Sequence, residues 1–452
     1  MDLERTEQPA IPGAQLTEGS VVGGLLRMTW PMVVGLLAIL TMNAVDTYFV
    51  GRLGPLPLAA MGYTFPVVAF VGSLSIGLGV GANSVLSRAL GGGDRQRVQR
   101  LTTDALLLGL VVVGIVATIG LLTIDPLFRL LGATDETLPL IRRYMSVWYF
   151  GSVFLIVPMV ANSALRASGD ARTPMVVMVV SAIVNVILDP ILIFGWGPFP
   201  RLEIQGAAIA TVCARAVTLV VTLWFVVHRE RMVVRSRPRL RELLSSWREL
   251  LSIAVPSAAS NVIIPLTAGV LTRLVAGFGE PMVAAFGVGS RIELLVAIMP
   301  MALGSGLAPV VGQNWGAARI SRVVAAVRFA LLLAFVWGLV SFVMLWFAAE
   351  ALGRMFSDDP VVAQGVRLFL QIVPLGFAFQ NMVRVATSFF NSTGRPFRAT
   401  ALNLLATPCL VVPLAWVAAP HLGLHGVFFA MAGASSVTGV VAFCWLRPLL
   451  RR

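Results

Sequence analysis

Residues Pro31 to Gly54 read PMVVGLLAILTMNAVDTYFVGRLG. The run opens behind Trp30 and stays apolar for a dozen residues before Asn43. An apolar helix needs about 20 residues to cross a bilayer, and this stretch reads as one crossing with an aspartate, Asp46, inside it. Comparable apolar runs recur along all 452 residues, of which 58% are hydrophobic and only 12% charged, with a mean hydropathy of +0.88. A soluble domain is about 25% charged. The chain therefore reads as an all-α polytopic membrane protein whose first partner is the lipid bilayer.

Twelve spans are expected, at 25–50, 57–86, 102–124, 139–163, 174–196, 205–227, 250–274, 282–308, 326–349, 362–388, 399–419 and 425–446. Arginine gathers after the even-numbered ones: Arg88, Arg95, Arg97 and Arg100 after span 2, seven residues from Arg229 to Arg248 after span 6, and Arg319, Arg322 and Arg328 after span 8. The opposite loops hold few, such as Arg52, Arg201 and Arg354. The positive-inside rule then puts both termini in the cytoplasm of a plasma (inner) membrane, in a bacterial setting. The polar first residues read as a cytoplasmic tail without a signal-peptide pattern.

The charge balance excludes several function classes. Net charge is +13, but all 34 basic residues are arginines scattered between apolar runs, which suits loop orientation and not nucleic acid. Without lysine there is no GxxxxGK[ST] phosphate loop, so any transport must be driven by something other than a Walker-type ATPase in this chain. Cys213, Cys409 and Cys444 fall in apolar runs without metal spacing and read as core packing residues. His228, His421 and His425 sit at span ends or in loops. No nucleophile–base set or metal-ligand cluster is legible, so the chain reads as neither an enzyme nor the holder of a cofactor.

The two halves resemble each other. At an ungapped offset of 225 residues Pro31 falls on Pro256, Gly54 on Gly279, Ala59-Ala60 on Ala284-Ala285, Gly62 on Gly287, and Gly79, Gly81 and Gly91 on Gly304, Gly306 and Gly316. Gly169 falls on Gly394 at the same offset. The expected organisation is a tail (1–24), a first lobe of six spans (25–227), a basic cytoplasmic linker (228–249), a second lobe of six (250–446) and a short tail (447–452). Even span numbers make this a parallel repeat of two pseudo-symmetric six-helix lobes, a design that places a substrate cavity between the halves and alternates access by rocking.

Three acids fall well inside spans: Asp46, Asp189 and Glu293. A charge at that depth costs several kcal/mol, which marks a functional hypothesis. In NVILDP, Asn185 stands one turn before Asp189, and Pro190 releases the carbonyl of Val186. Carboxylate, amide oxygen and free carbonyl suit a small hard cation; two buried carboxylates equally suit a proton. Pro31 supplies a bending point in span 1. The plainer alternative pairs each acid with a span arginine such as Arg215, Arg291 or Arg384, and that alternative is preferred for Glu293. At the 225 offset Asp46 falls on Leu271; aligning Pro174 with Pro396 puts Asn185 on Thr407 and Asp189 on Val411. An acid in one half only points to an ion site specialised to that lobe.

These residues resemble a known family. WP followed by D-x-x-x-V-G-R-L-G, ALRASGDARTP (Ala164 to Pro174), NVILDP (Asn185 to Pro190) and GAAIAT (Gly206 to Thr211) look like the multidrug and toxic compound extrusion (MATE) transporters. FGVGSRIE (Phe286 to Glu293) and VGQNWGA (Val311 to Ala317) look like its DinF-like branch. The resemblance covers the chain from about Leu25 to Leu446. It implies a monomeric exporter of organic cations or other amphipathic compounds by antiport with protons or sodium. Its first-lobe ion site carries over onto Asp46, Asn185 and Asp189, with Thr211 as a hydroxyl of span 6, so that these four would hold a sodium ion if sodium is the coupling ion. Asn162 matches a polar cavity residue, and Pro31 a proline associated with bending. The acid some branches carry in span 7 is absent, where Leu271 aligns. For substrate contacts Trp148, Tyr149, Phe150, Met178 and Phe389 are candidates, but for each singly lipid-facing or interhelix packing is the preferred reading. The alternative reading is a flippase of lipid-linked oligosaccharide or peptidoglycan precursors, which needs an arginine-rich cavity to meet a pyrophosphate. A channel or static scaffold fits the one-sided acids less well.

Overall fold

The computed structural model describes residues 15–234 and 239–451. Residues 1–14 of the expected tail, Arg235 and Arg237 of the expected linker and Arg452 lie outside the described residues. Spans 1 to 3 are α1 (Val21–Gly51), α2 (Pro55–Gly91) and α3 (Arg95–Leu122), followed by a short α4 (Ile124–Leu130). Span 4 is α5 (Leu138–Phe150) with α6 (Val153–Ser168), span 5 is α7 (Arg172–Phe194), and span 6 is α8 (Ile204–Trp224), prolonged by the π-helical turn Phe225–Arg229. Spans 7 to 9 are α9 (Leu240–Ala276), α10 (Glu280–Gly316) and α11 (Ile320–Phe356). Span 10 joins α12 (Pro360–Ile372) to α13 (Phe377–Ser392) through a 3₁₀ turn, Val373–Gly376. Span 11 is α14 (Pro396–Leu404), a π-helical stretch Leu405–Val411, and the start of α15 (Val412–Leu450). Gly423, at φ 59° and ψ −143°, interrupts α15 and divides span 11 from span 12.

The repeat read from glycines has a structural cause. Gly54 and Gly279 precede the proline-led helices α2 and α10 at φ 115° and 104°, a region that side chains rarely adopt. Spans 4 and 10 both break, the first at Gly151 and the second at Gly376, which the same offset relates. Polar caps close other ends: Ser20 Oγ accepts from Gly23 N at 3.2 Å, and Asp94 Oδ1 accepts from Arg97 N at 2.9 Å.

The lobes meet through α1 and α2 of the first half against α9 and α10 of the second. Small residues let backbones approach. A Cβ at Gly77 would stand 2.6 Å from Ala254 O, one at Gly81 2.8 Å from Leu250 O, and one at Gly306 2.8 Å from Thr29 Oγ1. At the end of both helices Gly91 lies against the Gln313 backbone and Gly316 against that of Arg88, each the other's image in the repeat. Towards the opposite end, a Cβ added at Gly62, Gly72 or Gly287 would meet nothing within 4 Å. The close inter-lobe contacts of these glycines thus gather at the arginine-rich end. Ser84 Oγ to Asn391 O (2.5 Å) and Gln313 Nε2 to Ala167 O (2.6 Å) cross the same end. Residues 15–20 seal it: Leu16 is buried, its N–H donates to Gln313 Oε1 at 3.0 Å, and Arg322 donates to the carbonyls of Gly19 (2.9 Å) and Glu18 (3.0 Å).

Two expectations change. Helix α9 starts at Leu240, so residues 240–249 begin span 7 and are not linker. This turn docks on α3 through Trp247 Nε1 to Asp104 O (2.9 Å) and through ion pairs of Glu242 with Arg100 (2.7 Å) and Glu249 with Arg97 (3.1 Å). The three cysteines are exposed and free, not core residues. Lipid-facing and interior surfaces of a membrane helix are both apolar, so an apolar neighbourhood cannot tell them apart.

Candidate functional site

Helix α7 packs on α1 and on α8, and the approach to α1 rests on Gly35, where a Cβ would meet Met178 Sδ at 2.7 Å. This triplet carries the predicted ion residues. Asp46 on α1, Asn185 and Asp189 on α7 and Thr211 on α8 are all buried. Asn185 Nδ2 donates to Asp189 Oδ1 at 3.3 Å and to Thr211 Oγ1 at 3.4 Å. The charge of Asp46 reaches Asp189. Asp46 Oδ1, Asn185 Oδ1 and Asp189 Oδ2 are buried acceptors without a hydrogen-bond partner.

Buried polar atoms are nearly always partnered, so these orphan oxygens on the packed helices α1 and α7 leave a guest to be accounted for. With Thr211 Oγ1 they are all oxygens, the donor type that a hard cation takes. A proton on either carboxyl would satisfy them as well, by turning an acceptor into a donor. The cluster thus has the chemistry to exchange one positive charge with the medium.

Two further residues lie near it: Arg215, offered by the sequence as a partner for an acid, and Tyr144, which the sequence did not assign there. The charge of Asp46 reaches both the Tyr144 hydroxyl and the Arg215 guanidinium. Arg215 forms no ion pair with either acid among the described residues, and its Cζ lies 6.0 Å from the Trp148 ring centroid. Tyr144 is one of four tyrosines and is buried on α5, a placement set by helix rotation that the sequence does not show. Asn162 is buried on α6 with Oδ1 unpartnered, and no hydrogen bond joins it to the cluster among the described residues. Pro31 lies buried within a helix that continues through it.

The second lobe repeats the scaffold without the chemistry. Leu271 and Val411 are packed in its apolar core. Glu293 accepts a hydrogen bond from Gln380 Nε2 at 3.4 Å, and the salt bridge expected for it is not formed among the described residues. A further acid that the sequence did not single out, Asp104 on α3, is 1% exposed and both its carboxylate oxygens lack partners.

A cavity of about 360 Å³ lies between the lobes. Met32 and Met178, on the two helices that carry Asp46 and Asp189, line it, joined by Met159 and Met301. Asn83, Asn261, Asn391 and Asn403 add amides, and the charged wall residues are Arg166 and Arg384, with no carboxylate among the described residues. Of the aromatic and methionine candidates only Met178 lines it. Trp148, Tyr149 and Phe389 are buried in the lobes, and Phe150 is 72% exposed.

A family model described as MatE matches residues 31–191 and 256–417. The two matched segments begin 225 residues apart, the offset of the glycine repeat. A FAD transporter of Shewanella oneidensis is 36% identical over 93% of this chain and 93% of its own length. The multidrug export protein MepA of Staphylococcus saprophyticus is 24% identical over 94% of this chain and 93% of its own. The crystal structure of a mutant of the Vibrio cholerae MATE transporter VcmN superimposes with a TM-score of 0.91 at 29% identity, covering 95% of this chain and 97% of that one. These matches bear out the resemblance at the level of the family and its two-lobe fold; the DinF-like likeness rests on motifs alone.

Proposed function

The chain belongs to the MatE family and is a membrane transporter, not an enzyme; on that premise we propose that it is a secondary active exporter of amphipathic compounds, coupled by antiport to protons or sodium through its first lobe. The observation that carries the coupling is the group of Asp46, Asn185, Asp189 and Thr211 with its three unpartnered oxygens in one lobe, where the other lobe has Leu271 and Val411 in its apolar core at the places of the two acids.

The mechanism follows from shared helices. Met32 and Asp46 are 14 residues apart on α1, about 20 Å along its axis; Met178 and Asp189 are 11 apart on α7, about 16 Å. The cavity and the ion cluster are thus two ends of one helix pair. With both carboxylates charged, repulsion works against the α1–α7 contact; uptake of a proton or sodium relieves it and lets the pair close. Pro31 lies next to Met32 and removes one helix hydrogen bond, which gives α1 a place to bend. Ion uptake at one end then changes the wall of the cavity at the other. Asn162 supports the polar interior of span 4.

The arginine-rich end is the cytoplasmic end in this reading, so both termini are cytoplasmic, the membrane is the bacterial inner membrane, and the closely packed end of the lobes faces the cytoplasm. The protein acts as a monomer. Among the named relatives one transports FAD and another exports multiple drugs, so FAD, an amphipathic dinucleotide, is the first substrate to test. The second reading, a flippase of pyrophosphate-linked lipids, is favoured by the two arginines of the cavity. The test is substrate movement in proteoliposomes under an imposed proton or sodium gradient. Movement that follows one gradient supports the antiporter; movement indifferent to both rejects it.

A further inference from the structure

The cavity carries a charge pattern that the ion cluster does not use. Arg166 on α6 and Arg384 on α13 belong to equivalent spans of the two lobes. At the 225 offset Arg166 corresponds to Asn391 and Met159 to Arg384, and all four line the cavity. Each lobe therefore offers one guanidinium to the same space. Neither forms an ion pair among the described residues. Arg166 Nη2 donates to Ser163 Oγ at 2.6 Å, while Arg384 Nε is buried without a partner. Glu293 is the acid whose charge reaches Arg384, and it stands off the cavity wall. Asn83 Oδ1, Ser257 Oγ, Thr387 Oγ1 and Asn391 Oδ1, all on that wall, are also buried and unpartnered.

Both guanidiniums are half-buried, and a cleft lined by one sign concentrates ligands of the other. The guanidinium fork matches phosphate oxygens with two parallel hydrogen bonds. The four methionines beside the arginines offer polarizable sulfur to an aromatic or apolar body. An organic cation would meet two like charges here and no acid.

We infer that the cavity between the lobes binds a phosphate- or diphosphate-bearing amphipath, with Arg166 and Arg384 gripping the phosphate oxygens from opposite lobes and the methionine wall holding the apolar part. This names the substrate class of the exporter proposed above and rests on that reading for transport, though not for binding. A ligand held by both lobes also stabilises their closure and so has a direct part in the conformational cycle.

The test is equilibrium binding to the full chain in lipid nanodiscs without any gradient. FAD is compared with riboflavin, which has the same ring system and no phosphate, and with undecaprenyl pyrophosphate as the lipid-linked source. FAD should bind more tightly than riboflavin. Arg166→Gln and Arg384→Gln should each weaken FAD roughly ten- to hundredfold, the worth of one charged hydrogen-bond set, and leave riboflavin unchanged. Arg166→Lys and Arg384→Lys should restore part of the loss, which a merely structural arginine would not produce. If only the pyrophosphate lipid binds, with the same arginine dependence, the diphosphate chemistry stands and its source is the membrane. Equal affinity for FAD and riboflavin together with no pyrophosphate-lipid binding, or equal loss of both flavins in the Gln variants, overturns the assignment. Asp46→Asn should keep the arginine-dependent binding, so failure of the coupling reading shows only in transport.

Discussion

Gly91→Ala adds one methyl where α2 of the first lobe touches α10 of the second. That Cβ would stand 2.8 Å from the Gln313 carbonyl carbon and 2.9 Å from its Cα, and would overlap the carbonyl oxygen outright. The obstacle is backbone, so no side chain can swing aside. Overpacking of this kind costs about 1–3 kcal/mol. The cost falls on the state closed at the arginine-rich end and not on a state in which that end has parted. At about 1.4 kcal/mol per tenfold, the closed population should fall roughly five- to 150-fold relative to the open one. The assay is a distance distribution between spin labels at Gln96→Cys and Ser321→Cys, both exposed at that end, with Cys213, Cys409 and Cys444 replaced. Gly91→Ala should lengthen the distance, and Gly316→Ala, its image in the repeat, should do the same. Gly62→Ala, on the same helix with nothing within 4 Å, is the control and should leave the distribution unchanged. An unchanged distribution in both Gly91→Ala and Gly316→Ala would refute the reasoning that these glycines set the closure.

Leu271→Asp places an acid at the second-lobe position of Asp46, inside an apolar core; it should destabilise the fold by about 2.5–3.5 kcal/mol, read as a lower melting temperature in detergent. A variant as stable as the parent would show that the second lobe can accept the acid and that its core is not what excludes an ion. Glu230 follows span 6, where burial, then the charge of Asp170, pushes its carboxyl pKa above the ordinary 4.5, and Arg229 pulls it partly back. A carboxyl whose pKa is raised on folding destabilises the protein once it ionises, a cost absent below about pH 4.5 and growing above it. Glu230→Gln should therefore raise the melting temperature at neutral pH and do little at pH 4; the same gain at both values would point to packing instead.

Much of this arrangement is legible in the sequence because membrane helices are long apolar runs and because glycine marks places where geometry leaves no choice. Gly54 and Gly279 share a backbone conformation, and Gly91 and Gly316 share a contact, so both pairs stand at one offset. NVILDP showed Asn185 one turn from Asp189, and the structure adds the link to Thr211 that helix packing alone can supply. What stayed hidden depends on helix rotation. The cysteines point outward, Trp148 and Tyr149 point into a lobe, and Arg166 and Arg384 point into the cavity; apolar flanks look alike in all three cases. Asp104 was passed over because it stands at a span's edge, where the docking of α9 buries it.

The central claim is that the first-lobe acids take up the coupling ion. The most direct measurement is gradient-driven substrate transport in proteoliposomes by the parent, Asp46→Asn and Asp189→Asn, with substrate binding followed in parallel as the check on folding. The account predicts that both variants bind substrate and lose the response to the gradient that drives the parent. Gradient-driven transport retained at the parent's rate in both would contradict it and leave Asp46 and Asp189 as structural residues.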